Sequence, residues 1–152
     1  MDLTTDERRL TDDIGFLLSR ASGLFVRATN AALASYGLRV RSYSVLLLAC
    51  EATEGVSQRD LAEVLGLDPS QVVLLVDDLA ASGLVTREPS VNDRRTRLVS
   101  ATAAGRALRA EVVGVADAAV ADQLSGLTST ERFLLRDLLS RLALGNRGSL
   151  PA

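Results

Sequence analysis

The chain has 152 residues, of which 47% are hydrophobic and 24% charged, and its formal net charge is −2. This length suits one domain with a sizeable core, and the composition is typical of a folded globular protein. No apolar run approaches the roughly 18 residues of a membrane span. The N-terminal segment also lacks the apolar core of a signal peptide. We therefore expect a cytoplasmic protein that does not interact with a membrane.

The chain contains one cysteine, Cys50, and no histidine. This excludes a disulfide within one chain, zinc sites of the Cys/His kind and histidine-dependent catalytic triads. The sequence contains no recognisable nucleophile–base pair, phosphate-binding loop or metal cluster. We therefore expect no enzymatic activity, no metal and no other cofactor.

The N-terminal part predicts a long helix over residues 6–36, because apolar residues recur there at helical spacing. Gly37 ends this helix, since glycine takes a left-handed C-terminal position without steric cost. A second helix is predicted to begin at Ser42 or Ser44. Arg41 lies just ahead of it, where an arginine can contact phosphate, although simple solvation of the loop is the alternative.

Residues 56–83 contain two short helical patterns joined by a tight turn. Ser57 is a good N-cap for the first helix, and Gly66 ends it. Asp68 caps the second helix, with Pro69 at its first position, where a missing N–H costs nothing. This spacing is that of a helix-turn-helix, whose second helix enters a DNA major groove, and an ordinary helical hairpin is the alternative.

A hairpin pattern follows directly. Residues 84–87 and 97–100 alternate as strands do, and the polar segment between them is rich in turn formers. A hairpin placed directly after a recognition helix is a wing. The charged residues at its tip are Asp93, Arg94, Arg95 and Arg97. They would lie beside a DNA backbone, unless they form only a solvated charged turn.

Two more helices are predicted after the wing, from Ala103 to about Leu124 and from Thr128 or Ser129 onward. The segment Gly145–Ala152 is predicted to be a frayed tail. The apolar stripes of the terminal helices have no obvious partner within a single winged helix. Dimerisation through the first and the last two helices would cover these stripes.

The segment from Asp68 to Gly105 resembles the MarR family of winged-helix regulators. The matching motifs are Leu-Val-Asp-x-Leu from Leu75 to Leu79, Gly-Leu-Val from Gly83 with Arg87 after it, Asp-x-Arg at Asp93 and Arg95, and Thr-x-x-Gly from Thr102. Family members often have Thr-Arg just before the first motif, where this chain has Val73-Leu74. The recognition helix therefore has no arginine.

The resemblance implies a mainly α-helical fold with a small β-hairpin wing, a winged helix-turn-helix with long terminal dimerisation helices. A single domain would span residues 1–152, with the DNA-binding lobe at about 40–101 and the dimerisation helices at about 6–36 and 103–145. The implied function is a sequence-specific DNA-binding transcriptional regulator, a homodimeric repressor of a pseudo-palindromic double-stranded operator, released by a small molecule. The alternative is a winged-helix protein-interaction module without DNA binding. The acidic net charge favours the alternative, and the wing arginines oppose it.

The resemblance also implies roles for single residues. Arg95 would enter the minor groove, where A·T-rich sequences focus negative potential, and Asp93 would hold the wing in shape. Gln71 and Ser70 are the best candidates for base contacts, and Val73 would touch a thymine methyl group. The predicted DNA-contacting residues are Ser70, Gln71, Val73, Arg94, Arg95, Arg97, Asp93 and Arg41.

In the family a ligand pocket lies between the dimerisation helices and the DNA-binding lobe, which implies a small aromatic or phenolic effector. The candidate lining residues are Phe16, Arg20, Leu24, Tyr43, Leu47 and Cys50. Arg20 would bind a carboxylate or phenolate, and ordinary core packing with a solvated arginine is the alternative. Cys50 follows five apolar residues, so we expect a buried, inert thiol and not a redox sensor.

Overall fold

The computed structural model describes residues 9–145, which form six α-helices and a three-stranded antiparallel sheet. The helices are α1 (Ile14–Leu33), α2 (Val40–Glu51), α3 (Gln58–Leu65), α4 (Pro69–Ala81), α5 (Ala103–Gln123) and α6 (Ser129–Leu144). The strands are β1 (Val56–Ser57), β2 (Val85–Pro89) and β3 (Arg97–Ala101), in the order β1-β3-β2. This arrangement confirms the predicted fold class, with its hairpin wing and long terminal helices.

The first helix begins later than predicted. Asp13 is extended (φ −80°, ψ 120°), and its side chain accepts a hydrogen bond from the Phe16 N–H at 2.9 Å, so α1 starts at Ile14. A 3-10 turn over Leu10–Asp12 precedes it. At the other end a second 3-10 turn leads to Gly37, whose φ of 70° ends the helical segment as predicted. The first three positions of the predicted range 6–36 lie outside the described residues.

The start of the second helix was also predicted wrongly, because α2 begins at Val40 and not at Ser42 or Ser44. Ser42 occupies the third helical position, from which its Oγ accepts a hydrogen bond from the Arg39 N–H at 2.9 Å. Ser44 lies inside the helix and donates to the Val40 carbonyl at 2.8 Å. The Val40 N–H is bonded to Asn30 Oδ1 of α1 at 2.9 Å, so a side chain distant in sequence caps this helix.

The helix-turn-helix is formed as its capping residues predict. The Ser57 hydroxyl accepts a hydrogen bond from the Asp60 N–H at 3.0 Å, and Gly66 ends α3 with a φ of 62°. Asp68 caps α4, with Pro69 in its first turn. The sequence did not predict β1, which pairs Val56 and Ser57 with β3, because a two-residue strand is too short to show an alternating pattern.

The core is formed by α2, α3, α4, β2 and β3, together with the C-terminal end of α1 and the first half of α5. Its completely buried large side chains are Leu33, Val45, Leu46, Leu61, Val72, Val76, Val85, Val99 and Val112. Burying each such side chain contributes about 1.5–3 kcal/mol relative to leaving it exposed. The recognition helix and both wing strands contribute to this core, which therefore fixes them to one another.

A close contact joins α5 to the end of α4. The Thr102 hydroxyl donates to the Gly83 carbonyl at 2.7 Å, and the Thr102 N–H donates to the Leu84 carbonyl at 3.0 Å. A Cβ added at Gly105 would lie 2.1 Å from the Leu84 oxygen. This position therefore has no room for a side chain, which explains the threonine and glycine of the Thr-x-x-Gly motif in physical terms.

The terminal helices leave much of their apolar surface exposed in a single chain. α1 packs against α5, whereas α6 has no buried residue. The exposed large apolar side chains of α1, α6 and the turn before α1 include Leu10, Ile14, Leu17, Leu18, Phe133, Leu134, Leu138, Leu139 and Leu142. The predicted tail beyond Gly145 lies outside the described residues. Among residues 9–145, no helix has the length and apolarity needed to cross a membrane.

Candidate DNA-binding surface and effector pocket

The three predicted base-contacting residues, Ser70, Gln71 and Val73, are all exposed in the first half of α4. Ser70 is already engaged, because its hydroxyl donates to Asp68 Oδ1 at 2.6 Å and its N–H donates to the same oxygen at 2.9 Å. These two bonds lower the pKa of Asp68, and the bond from the Ser70 hydroxyl has the larger effect. The cap is therefore ionised at neutral pH, and Gln71 remains the better candidate for reading a base.

Two acids, Asp77 and Asp78, are the charged side chains of α4, and both are exposed. Val73 and Leu74 stand where family members often have threonine and arginine, and Leu74 is 65% exposed. The recognition helix therefore offers a DNA backbone no positive side chain. Attraction to phosphate must come from other elements of the lobe.

The wing supplies that positive charge on a turn built around one carboxylate. Asp93 Oδ1 accepts from the Arg95 N–H at 3.0 Å, and Asp93 Oδ2 accepts from the Thr96 hydroxyl at 3.1 Å. The Asp93 carbonyl also accepts from the Thr96 N–H at 3.0 Å. With both carboxylate oxygens engaged in the turn, Asp93 fixes the backbone from which the arginine side chains project.

Four arginines lie in or beside the wing, but they are not equivalent. Arg94, Arg95 and Arg97 are exposed around the tip. Arg87, which lies in β2, is half-buried and forms an ion pair with Asp77 of α4 at 2.6 Å. Arg41 belongs to another element, since it is exposed in the first turn of α2. The tip therefore concentrates three arginines against one acid that is already bonded.

A cavity of about 360 Å³ lies between α1, α2 and α5. Its lining residues are Phe25, Val26, Thr29, Val40, Tyr43, Ser44, Leu47, Ala116, Asp117 and Val120. Of the six predicted effector-binding residues, only Tyr43 and Leu47 belong to this set. Phe16, Arg20 and Leu24 do not, because successive helical residues turn by about 100° and α1 presents Phe25 and Thr29 instead. Cys50 lies near the end of α2, about two turns beyond Tyr43, and is not among the lining residues.

The cavity combines apolar walls with a few polar groups. Burial raises the pKa of Tyr43, nearby Asp117 raises it further, and Arg109 acts in the opposite direction. The phenol is therefore a neutral donor at physiological pH. A second cavity of about 650 Å³ lies between the α1–α2 connection and the end of α4, beside Arg39 and Arg41. Val26 and Val40 line both cavities, so the two adjoin.

Cys50 is half-buried beside α5. Burial raises the pKa of its thiol, and this outweighs the opposing charges of Arg106 and Arg109. The thiol is therefore protonated and unreactive at neutral pH. Within residues 9–145, no group of three or more histidine, cysteine, aspartate or glutamate side chains is placed to hold a metal ion.

Arg109 is a residue that the sequence did not single out. Its Nε is buried and has no hydrogen-bond partner among the described residues. The guanidinium lies close enough to Tyr43 and Cys50 to influence both pKa values. An arginine in the middle of an alanine-rich helix has no distinctive sequence pattern, and only the packing of α5 against α2 reveals it.

The chain matches the family model described as MarR family over residues 36–96. An HTH-type transcriptional repressor of Mycobacterium tuberculosis is 30% identical over 135 residues, which cover 88% of this chain and 96% of the relative. A MarR family protein of that species, in complex with salicylic acid, is 30% identical over 88% of this chain and 99% of the other, with a TM-score of 0.70.

Two solved structures are more similar in sequence. A MarR family transcriptional regulator from Rhodococcus sp. RHA1 is 50% identical, with a TM-score of 0.86, over 90% of this chain and 96% of the other. CouR from Rhodococcus jostii RHA1, bound to p-coumaroyl-CoA, is 47% identical, with a TM-score of 0.84, over 96% of this chain and 100% of the other.

Proposed function

Because this chain belongs to the MarR family of DNA-binding transcriptional regulators, we propose that it acts as a homodimeric repressor whose wing supplies most of its attraction to DNA. The observation that carries this proposal is the tip turn, in which the bonded Asp93 displays Arg94, Arg95 and Arg97 to solvent. Arginine forks of this kind bind phosphate and the narrow minor groove of A·T-rich DNA.

In this proposal each DNA-facing element has a different task. Arg95 enters the minor groove, Arg94 and Arg97 contact phosphates, and Arg41 contacts a phosphate from the start of α2. Gln71 bonds an adenine in the major groove, where Val73 touches a thymine methyl group. Ser70 is the weakest member of the predicted set, because its hydroxyl is already bonded to Asp68.

The exposed apolar faces of the terminal helices support the dimer. Phe133 is 73% exposed and Ile14 is 71% exposed in a single chain. Deletion from Thr130 onward should therefore yield aggregated or unfolded protein, measured by size-exclusion chromatography with light scattering and by circular dichroism. A well-folded monomer after this deletion would contradict the dimer arrangement.

The two adjoining cavities support an aromatic acid, or a thioester of one, as the effector. Relatives of this chain bind salicylic acid and p-coumaroyl-CoA. An aromatic ring would occupy the apolar cavity beside Phe25 and Tyr43. A phosphorylated tail would extend through the second cavity to Arg39 and Arg41. We place this regulation in the cytoplasm, where the protein acts by binding and not by catalysis.

A randomised duplex library tests the proposed function. The purified protein should enrich a pseudo-palindrome with A·T-rich flanks, and fluorescence anisotropy should give a strongly salt-dependent affinity. Salicylate, p-coumarate and p-coumaroyl-CoA are then added to the bound complex, and at least one should release the DNA. If no sequence is enriched at low salt, the protein-interaction module becomes the better account.

A further inference from the structure

Arg87 links three elements of the DNA-binding lobe through one guanidinium group. From β2, its Nε donates to Gln58 Oε1 at the start of α3, at 2.9 Å. Its Nη2 donates to the Val73 carbonyl in α4 at 3.3 Å and lies 2.6 Å from Asp77 Oδ1, one turn further along α4. The guanidinium therefore touches both helices of the helix-turn-helix from the first strand of the wing.

The link joins α4 near its base-reading residues to β2 near the wing tip, so its geometry affects the placement of both. Val73 lies in the exposed part of the recognition helix, two residues after Gln71. Arg87 pairs with Val99 across the hairpin, and the strand continues only to Pro89 before the tip begins. A shift of this link would therefore move the base-reading stretch of α4 relative to Arg95.

The chemistry of arginine suits this task better than that of any other side chain. The guanidinium is planar and presents several N–H donors in fixed directions, so it fixes an angle as well as a distance. A lysine in this place would keep the charge near Asp77 but would present a single mobile ammonium. The side chain of Arg87 is 24% exposed, which shields its ion pair from much of the solvent screening.

We propose that Arg87 is a positioning residue, which sets the placement of the wing relative to the recognition helix. It thereby sets the number of base pairs between the step read by Gln71 and the step read by Arg95. This inference rests on the proposed function. In this account Arg87 is not a phosphate contact, because its Nε and Nη2 donors are directed to Gln58, Val73 and Asp77.

The test uses operators in which the spacing between the base pair read by Gln71 and the A·T step at the wing is changed by one base pair in either direction. Wild type should discriminate strongly against both changes. Arg87→Lys should reduce this discrimination by about tenfold, which corresponds to about 1.4 kcal/mol. Its mean affinity over the operators should stay within about twofold of that of wild type, since the contacts to DNA are unchanged.

Two further variants separate positioning from charge and from misfolding. Arg87→Gln should leave the slope of log affinity against log salt unchanged, whereas loss of a phosphate contact would lower it by about one unit. Asp77→Asn weakens the same link from the α4 side and should likewise reduce the discrimination between operators of different spacing. Arg59→Lys, an exposed arginine beside Gln58 that takes no part in the link, is the matched control and should discriminate as wild type does.

Circular dichroism and thermal melting accompany each variant, so that only folded protein is compared. If folded Arg87→Lys and Asp77→Asn both discriminate as wild type does, the positioning role is overturned while the regulator remains. A lowered salt slope for Arg87→Gln with intact discrimination would overturn it as well, by making Arg87 a phosphate contact. Failure of wild type to bind any operator would overturn both this inference and the proposed function.

Discussion

The recognition helix and the wing belong to the same lobe, yet they differ sharply in the charge they present to DNA. The exposed charged residues of α4 are the acids Asp77 and Asp78, whereas the wing tip exposes three arginines on a turn that already engages its own acid. Phosphate attraction is independent of sequence, and base-edge contacts provide discrimination. We therefore expect this regulator to gain affinity mainly at the wing and specificity from a few contacts in α4.

The largest expected effect comes from removing the wing charge altogether. Replacing Arg94, Arg95 and Arg97 together by alanine should lower the slope of log affinity against log salt by about one unit per arginine in each wing. Binding at moderate salt should become undetectable in an anisotropy titration. The three side chains are exposed, so the melting temperature should hardly change. An unchanged salt slope would place the phosphate contacts on another element.

A smaller effect is expected from the residue that shapes the wing. Asp93→Ala removes the acceptors for the Arg95 N–H and the Thr96 hydroxyl, each worth about 1 kcal/mol net. DNA affinity should fall by up to about tenfold, although an acid has been removed from beside the DNA. Asp93→Asn keeps one acceptor, which suffices for the Arg95 N–H but not for the Thr96 hydroxyl as well, and should therefore weaken binding less than Asp93→Ala does. Equal weakening in both variants would mean that the bond to the Arg95 N–H does not hold the wing in its DNA-binding shape.

A single-base effect is expected in the recognition helix. Gln71→Ala should cost about 1–3 kcal/mol at one base pair of each half-site and little at any other position. Ser70→Ala is the neighbouring control and should be nearly neutral for base preference, because its hydroxyl is bonded to Asp68. If the library profile of Gln71→Ala matched that of wild type at every position, the Gln71 side chain would not contact a base.

The smallest effect is expected at Cys50, which lies in α2 and belongs neither to the exposed face of α4 nor to the wing tip. Burial raises the pKa of its thiol, so the thiol is protonated and reacts slowly with peroxide at neutral pH. Cys50→Ser should leave DNA affinity unchanged in peroxide and in reductant, with only a modest loss of stability. A peroxide response in wild type that this substitution abolished would show that the thiol is a sensor.

The ends of the helices in the DNA-binding lobe were more predictable from the sequence than the lining of the candidate effector cavity, for a physical reason. Ser57, Gly66 and Asp68 mark helix ends through hydrogen bonds to residues two or three positions away or through their own backbone angle. The start of α2 depends on Asn30, ten residues away, and so the local serine signals were misleading. Helix ends that depend on residues close in the sequence could be predicted, whereas the helix start that depends on the Asn30 side chain could not.

The lining of the candidate effector cavity was hard to predict for the same reason, because it depends on contacts between residues that are far apart in the sequence. Two of the six predicted effector-binding residues, Tyr43 and Leu47 of α2, line the cavity, whereas Phe16, Arg20 and Leu24, the residues predicted on α1, do not. Which face of α1 meets α2 is decided by how α5 packs against both helices. Arg109 was missed for this reason, since its buried Nε is meaningful only once α5 lies beside Tyr43 and Cys50.

The most direct test of a wing-dominated mode of binding is a titration of wild type, Arg95→Ala and Gln71→Ala on a randomised-operator library at two salt concentrations. Arg95→Ala should weaken binding to most sequences, reduce the preference for A·T-rich flanks and lower the salt dependence. Gln71→Ala should change the preference at one base pair per half-site and leave the salt dependence intact. If Arg95→Ala binds the whole library as tightly as wild type at both salt concentrations, the wing does not contact DNA and the account is wrong.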